Sequence, residues 1–494
     1  MLNVMKILAF LLSFITLLDA RALSETISLR EVQPKDHWDR GDWWTVYRDP
    51  VLDALMQKAG RANQQLRIAV LQFDQARALA RVARSDFFPQ AHAGFVATHQ
   101  STSGNTKVPF DPNGVIFRGR NFEVPLDMSY EIDLWGRVRL GHRAALQEAE
   151  KAANLIPHAL LSVHAELAQN YFRLRALDAE IRESETSLTL LQETDEMARS
   201  REKAGTATEL ETAQSATQVA AQKGVIAGLR AQRKSLENAI AVLVNQQAPS
   251  FTLVPLKDMP KVPTLPDKIP SDLLERRPDI AASERALAAS LNRLGIAQRA
   301  AYPSLSLIAN GGFASGDLNH LLNSGSEKWI IGPRLSFPVL SGGRFRAHLE
   351  SQKAEADIAL ARYRQAILTA FAEVDTQLHV IAELKRQNQF VQQAIAQATK
   401  AHALAQLRFD SGTGAYLDLL NAQRQLIDLR SAQHQLTGQQ LIASTTLIKA
   451  IGGSWHQSQP HVMPTLEQDP QSQTQHETPK KRNLLRRLFS GSSS

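Results

Sequence analysis

The chain has 494 residues, 43% hydrophobic and 21% charged, with a net charge of +7, 14 histidines and no cysteine. Without cysteine there is no disulfide framework, no zinc–thiolate site, no cysteine nucleophile, and no residue for the acyl anchor of a bacterial lipoprotein. The positive charge is mild for this length and gathers partly at the two ends, so it argues for no nucleic-acid partner.

Residues 1–22 read as a secretory signal, with Lys6, an apolar core from Ile7 to Leu18, and Ala20-Arg21-Ala22 for cleavage. After it no run of 18 apolar residues occurs, so a mature chain that crosses a membrane does so as a barrel. Residues 23–51, with Trp38, Trp43 and Trp44, read as an extended segment. The spacing of Leu55, Leu66, Ala69, Val70, Phe73, Ala76 and Ala80 predicts one helix over 52–88, ended by Pro89. Residues 89–135 then read as strand, loop and strand: a weaker strand over 91–101, a Gly/Pro loop at 102–118, and the strongest pattern in the chain. There Phe122, Val124, Leu126, Met128, Tyr130 and Ile132 alternate with Glu123, Pro125, Asp127, Ser129, Glu131 and Asp133. Period two marks a strand with unlike faces. Roughly 11 residues at about 3.3 Å each, tilted by about 40°, cover roughly 27 Å, the height of an outer-membrane apolar band.

After Gly136 the period changes to that of a helix, which reaches about Lys203, with a kink expected at Pro157. Gly205-Thr206 breaks it and a second helix returns over about 208–246, so 136–247 is a helical hairpin. Six prolines make 248–277 an extended linker. Pro278 and Asp279 suit the first turn of a helix ending near 301. Residues 302–341 repeat strand, loop and strand, with Leu305, Leu307, Ala309 and Phe313 on one side of the first and Trp329, Ile331, Leu335, Phe337 and Val339 alternating in the second. Residues 342–453 form a second hairpin turning at Gly412-Thr413. Residues 454–494 read as a disordered tail with a basic end, KKRNLLRRLF. The GGFASG at 311–316 mimics a nucleotide loop but does not open a helix, and the histidines lack metal-ligand spacing. No catalytic constellation is visible, so neither an enzyme nor a cofactor is expected.

The halves match at one offset. Gly136-Arg137 and Gly343-Arg344, Ala165-Glu166 and Ala372-Glu373, Gly205-Thr206 and Gly412-Thr413, and Leu210 and Leu417 all lie 207 apart, which argues for duplication. Each long helix, roughly 100 Å, matches two shorter ones end to end: 208–246 with 278–301, and 416–451 with 52–88. Four strands cannot close a barrel in lipid, whereas three chains supply 12 and leave a water-filled lumen lined by Glu123, Asp127 and Glu131.

Several stretches resemble one family: YEIDLWGRVR (130–139), IPSDLLERRPDIAASERAL (269–287), AAYPSLSL (300–307), IGPRLSFPVLSGGR (331–344), RFDSGTGAYLDLLNAQRQL (408–426) and LIKAIGGSW (447–455). Trp43, Tyr47, Leu52 and Asn63 fit as well. In this pattern the chain is similar to the TolC-like outer-membrane efflux channels, in their OprM-like branch. The resemblance implies an α+β membrane protein: a trimeric 12-stranded β-barrel, four strands per chain, on a long periplasmic α-helical barrel. It implies a homotrimer in outer-membrane lipid that docks on a periplasmic membrane-fusion adaptor and an inner-membrane RND-type transporter. The family's constricted periplasmic end maps to Leu417, Asp418 and Asn421 as gate residues. Gly205, Thr206, Gly412 and Thr413 map to the hairpin tips that meet the adaptor. The chain departs from the branch in lacking the acylated cysteine, in placing Asn421 where a carboxylate is common, and in its tail. Plainer readings stand beside these: Leu417 as packing, Asp418 as a helix-start charge, and the tip glycines as helix terminators. An exit duct for type I protein secretion shares the fold, and a non-conducting periplasmic coiled coil is the alternative of another class.

Overall fold

The computed structural model describes residues 42–101, 103, 118–256, 258–264 and 276–453. The expected signal and tail, most of the loop at 102–118 and the centre of the Pro-rich linker lie outside the described residues.

Five strands form one antiparallel sheet: β1 (Gln90–Ala93), β2 (Val96–Ser101), β3 (Arg118–Ile132), β4 (Ser304–Ser315) and β5 (Glu327–Ser336). β1 and β2 both pair with β3, followed by β4 and β5. β1 and β2 keep a single register, with Ala93 opposite Leu126 and Val96 opposite Glu123. The break between them falls beside Pro125, which has no N–H for the ladder, although its carbonyl still accepts from the Gly94 N–H at 3.1 Å. The expected strand at 91–101 is therefore one ribbon interrupted by a neighbour's proline. β3 starts at Arg118 rather than Phe122 and has 15 residues. β5 stops before Phe337, short of the expected Val339, because Pro338 follows. The GGFASG stretch contributes to β4. Within it Gly312 has φ +132°, and a Cβ there would stand 1.9 Å from the Val124 carbonyl oxygen.

Seven helices of the described residues make the body: α1 (Pro50–Ala62), α2 (Gln64–Ser85), α3 (Arg137–Lys203), α4 (Glu209–Leu243), α5 (Pro278–Arg299), α6 (Arg344–Asp410) and α7 (Tyr416–Ala450). The single helix expected over 52–88 is two helices. Asn63 sits extended between them; its Oδ1 accepts from the Gln65 and Leu66 N–H groups at 2.9 and 3.2 Å, and its Nδ2 donates to the Leu243 carbonyl at 2.8 Å. A side chain that caps one helix and ties it to another outweighs the apolar periodicity that runs through the site.

α3 and α6 have 67 residues each, roughly 100 Å, and α4 and α7 have 35 each. α3 continues through Pro157 as one helix. Both long helices start after a left-handed glycine, Gly136 (φ 80°) and Gly343 (φ 82°). α3 packs on α2 and α5 toward the sheet and on α4 and α7 toward the far tip, while α6 packs on α5 and α7. α2 lies along α3 within one chain. Within one chain α2 and α6 are the outer flanks of the helical layer, and each exposes apolar side chains: Ile68, Leu71, Leu79 and Val82 on α2, Leu368, Phe371 and Phe390 on α6.

The main core lies midway along the helices. Of the segment expected to be extended, residues 23–41 lie outside the described residues, whereas Trp43–Tyr47 coils as a 3-10 turn with all three of its aromatics buried. They pack with Leu52 and Met56 of α1, Leu167, Tyr171 and Phe172 of α3, Ile240 of α4, Ile448 of α7, and Phe251 and Leu253 of the linker. The Tyr47 hydroxyl meets Ser444 Oγ at 2.7 Å, and burial pushes its pKa up to about 12. Tyr171 donates to Asp49 Oδ2 at 2.5 Å, and Asp49 Oδ1 caps α1 by accepting from the Val51 N–H at 2.9 Å.

His164 is buried against Trp44, ring centroids 4.6 Å apart, with its Nε2 unpartnered among the described residues. Burial pushes its pKa down to about 4, the bond to the Met56 backbone only partly opposing this. The unfolded chain therefore takes up this proton first, at its ordinary pKa near 6.5. The contribution is intact above that value and is lost as pH falls toward 4, about 3 kcal/mol in all. We expect His164→Phe to flatten that part of the pH dependence of thermal unfolding in detergent. Parallel curves for the two proteins between pH 7 and 4 would rule it out.

A two-faced sheet and a paired helical tip

The register sorts the sheet into two faces. One row runs Ala93, Leu126, Gly311, Trp329; the next runs Ala91, Met128, Ala309, Ile331; Tyr130, Leu307 and Pro333, then Ile132, Leu305 and Leu335, continue it. This face is apolar and open: Leu126 is 52% exposed, Ile331 62% and Trp329 79%. The opposite face carries His92, Glu123, Asp127, Ser129, Glu131, Ser306, Asn310, Lys328 and Arg334, with Val96, Pro125, Ile308, Ala314 and Ile330 as apolar exceptions. Glu123, Asp127 and Glu131 thus share one face, as their spacing predicts.

None of the three carboxylates stands alone. Glu123 pairs with Lys328, Asp127 accepts from Asn310 Nδ2 at 2.6 Å, and Glu131 accepts from Arg137 Nε at 2.9 Å. The sequence does not foretell these partners, because each needs the strand register or the strand–helix turn. The same holds for the belt where sheet meets helices. Trp135 Nε1 donates to the Pro303 carbonyl and Arg299 Nε to the Trp135 carbonyl, both at 2.6 Å, and the Trp135 and Tyr302 rings lie 5.2 Å apart. Asp133 caps α3, accepting from the Val138 and Arg139 N–H groups at 3.1 and 3.0 Å. An Asp shortly before a helix is a legible cap signal that the alternation of the strand conceals.

At the other end, both hairpins close with the same device. Gly205 (φ 72°) donates to the Glu202 carbonyl and Thr206 to the Arg201 carbonyl, each at 2.8 Å. Gly412 (φ 74°) donates to the Phe409 carbonyl at 3.0 Å and Thr413 to the Arg408 carbonyl at 2.9 Å. This is the Schellman arrangement, which needs the left-handed residue that glycine supplies. Each threonine hydroxyl bonds the same carbonyl as its own N–H, at 3.0 and 3.2 Å. Phe409, Tyr416, Leu419 and Leu420 form a small core inside the second hairpin. The Arg201 guanidinium lies 4.8 Å from the Phe409 ring centre, and Tyr416 bonds Ser215, whose hydroxyl donates to Asp195. Leu417, Asp418 and Asn421 occupy the other side of α7, all exposed, Leu417 by 52%. Asp418 is also the acidic residue of that helix's first turn.

No described helix is long and apolar enough to cross a membrane. Among the described residues no group of histidine, aspartate and glutamate could hold a metal ion.

Comparison with known proteins agrees with this geometry. The family model for outer membrane efflux proteins matches residues 55–246 and 269–453. The chain is 33% identical over 425 residues to the solvent efflux pump outer membrane protein SrpC of Pseudomonas putida, covering 84% of this chain and 87% of that protein. It is 31% identical over 422 residues to the pyoverdine export outer membrane protein OpmQ of Pseudomonas putida, covering 85% and 89%. Among solved structures it is similar to the CmeC outer membrane channel of Campylobacter jejuni, with TM-score 0.77, 25% identity and coverage of 87% and 91%. It is also similar to the outer membrane protein VceC of Vibrio cholerae, with TM-score 0.73, 26% identity and coverage of 84% and 99%. The chain belongs to the outer membrane efflux protein family.

Proposed function

We propose that this chain forms the outer-membrane exit duct of a tripartite efflux pump, conducting small molecules passively from the periplasm to the exterior. The observation that carries this is the sorting of the sheet: one exposed apolar face, one polar face, and two edges, β1/β2 and β5, that are unpaired among the described residues. Such a sheet is unsatisfied in water and in lipid until its edges close. The flanks of the chain differ, so copies join head to tail, an arrangement that closes as a ring. Three copies bring 12 strand rows, with Glu123, Asp127 and Glu131 toward the lumen. The equal lengths of α3 and α6, and of α4 and α7, support an internal duplication. The polar tips at Gly205-Thr206 and Gly412-Thr413 are the surface offered to a periplasmic adaptor, which in turn brings an inner-membrane RND-type transporter. Relatives named for solvents and for pyoverdine match this chain over most of its length, so the choice of cargo is left to the partners.

Particle mass in detergent by light scattering, with planar-bilayer conductance, tests the reading. A monomeric particle, or a trimer that passes no ions, refutes it. On the same reading Leu417, Asp418 and Asn421 ring the narrow end. Asp418→Ala is expected to lower cation-over-anion preference by roughly two- to fivefold, and Leu417→Ala to raise conductance. Unchanged conductance and selectivity in both variants would remove these residues from the gate.

A further inference from the structure

Glu123 and Lys328 belong to different strands, β3 and β5, with β4 between them. On their shared face, β4 offers Ala314 opposite Glu123 and Gly312 opposite Lys328. A methyl and a hydrogen leave the space above β4 open, so the lysine crosses it and its ammonium meets the carboxylate. Lower on the same face Asp127 is held by an amide and Glu131 by an arginine at the start of α3. Glu123 is thus the carboxylate of this face that is neutralised by a cation from within the sheet.

We propose that Glu123 and Lys328 form a charge-compensating pair on the wall of the duct, and that breaking the pair shifts how the passage treats the sign of a charged cargo, against the fixed background of Asp127 and Arg334 on the same face. This rests on the duct reading. With the pair intact, each copy adds a short dipole, whose field fades within the water-filled lumen. With one partner removed, each copy adds a unit charge, and the copies build a ring of one sign. The Debye length of about 8 Å at physiological salt lets such a ring act on ions passing near the wall.

The absence of cysteine in the sequence gives a direct test. The full chain and its variants are inserted into planar bilayers under a potassium chloride gradient, and reversal potentials are read. Lys328→Gln is expected to shift permeability toward potassium and Glu123→Gln toward chloride, each by roughly two- to fivefold, the size given by a unit charge acting through water about 8 Å away. The exchange Glu123→Lys with Lys328→Glu is expected to return the original value. Lys328→Cys, labelled after assembly, controls for folding. A cationic thiosulfonate should restore the original reversal potential and an anionic one should drive it further toward potassium. Reversal potentials that do not move in the single variants or on labelling overturn the proposal and leave the duct standing. An unmodified assembly that conducts nothing overturns both.

Discussion

Replacing Asp178 with alanine is expected to destabilise the middle of the molecule by about 3–5 kcal/mol, the cost of leaving a buried charge without its partner. Arg175 and Asp178 have side chains only 1% and 2% exposed and meet at 2.9 Å. Asp178 also accepts from Arg233 Nε at 2.6 Å, and Arg233 continues to Glu237 at 2.6 Å. These groups hold the linker as well as each other: Arg175 donates to the Val254 carbonyl at 2.8 Å, and Glu237 accepts from the Leu253 N–H at 2.9 Å. Loss of Asp178 therefore strands Arg175 and loosens the linker on α3 and α4. Thermal unfolding in detergent should begin earlier, and limited proteolysis should cut residues 248–264 faster. Arg230→Ala is the contrast. It breaks a pair with Glu185 on the open surface and should cost no more than about 1 kcal/mol. Equal melting curves for the two variants would show that the buried network contributes nothing of the kind.

Gly312→Ala should block formation of the sheet. The residue stands opposite Pro125 with φ +132°, and an added Cβ would meet the Val124 carbonyl oxygen at 1.9 Å. Backbone conformations reserved for glycine cost other residues about 1–3 kcal/mol, and the collision adds to that by pushing β3 from β4 at the centre of the ladder. The measurement is the amount of heat-modifiable, membrane-inserted protein on semi-native gels. Gly332→Ala on β5 meets nothing within 4 Å and should insert like the parent. Normal insertion of Gly312→Ala would mean that β3 and β4 part without consequence.

The parts legible in the sequence are those written in local period. The alternation from Phe122 to Ile132 places apolar and polar residues on opposite faces whatever their partners, and the register bears this out row by row. Turns at Gly205 and Gly412 are legible because left-handed backbone favours glycine. What escapes is set by residues far apart in the chain. Asn63 looks like one more polar position on an amphipathic helix until Leu243 is seen to take its amide. Arg175, Asp178, Arg233 and Glu237 have the spacing of ordinary surface pairs, and only the linker laid over them makes them a core. Trp43, Trp44 and Tyr47 suggest a strip lying on the body, whereas their bulk is satisfied only inside it. Of the candidate site, the shared face of Glu123, Asp127 and Glu131 follows from counting in twos. Lys328, some two hundred residues later, becomes a partner only through β4.

The two flanks of this chain, β1/β2 with α2 on one side and β5 with α6 on the other, are unlike and each incomplete. On the proposed duct reading, every copy in a closed assembly of such sectors holds two seams, and no copy can mend a neighbour's. One allele damaged at a seam would therefore spoil most mixed particles and behave as dominant. Damage confined to the water-facing wall would be diluted by healthy copies and stay recessive.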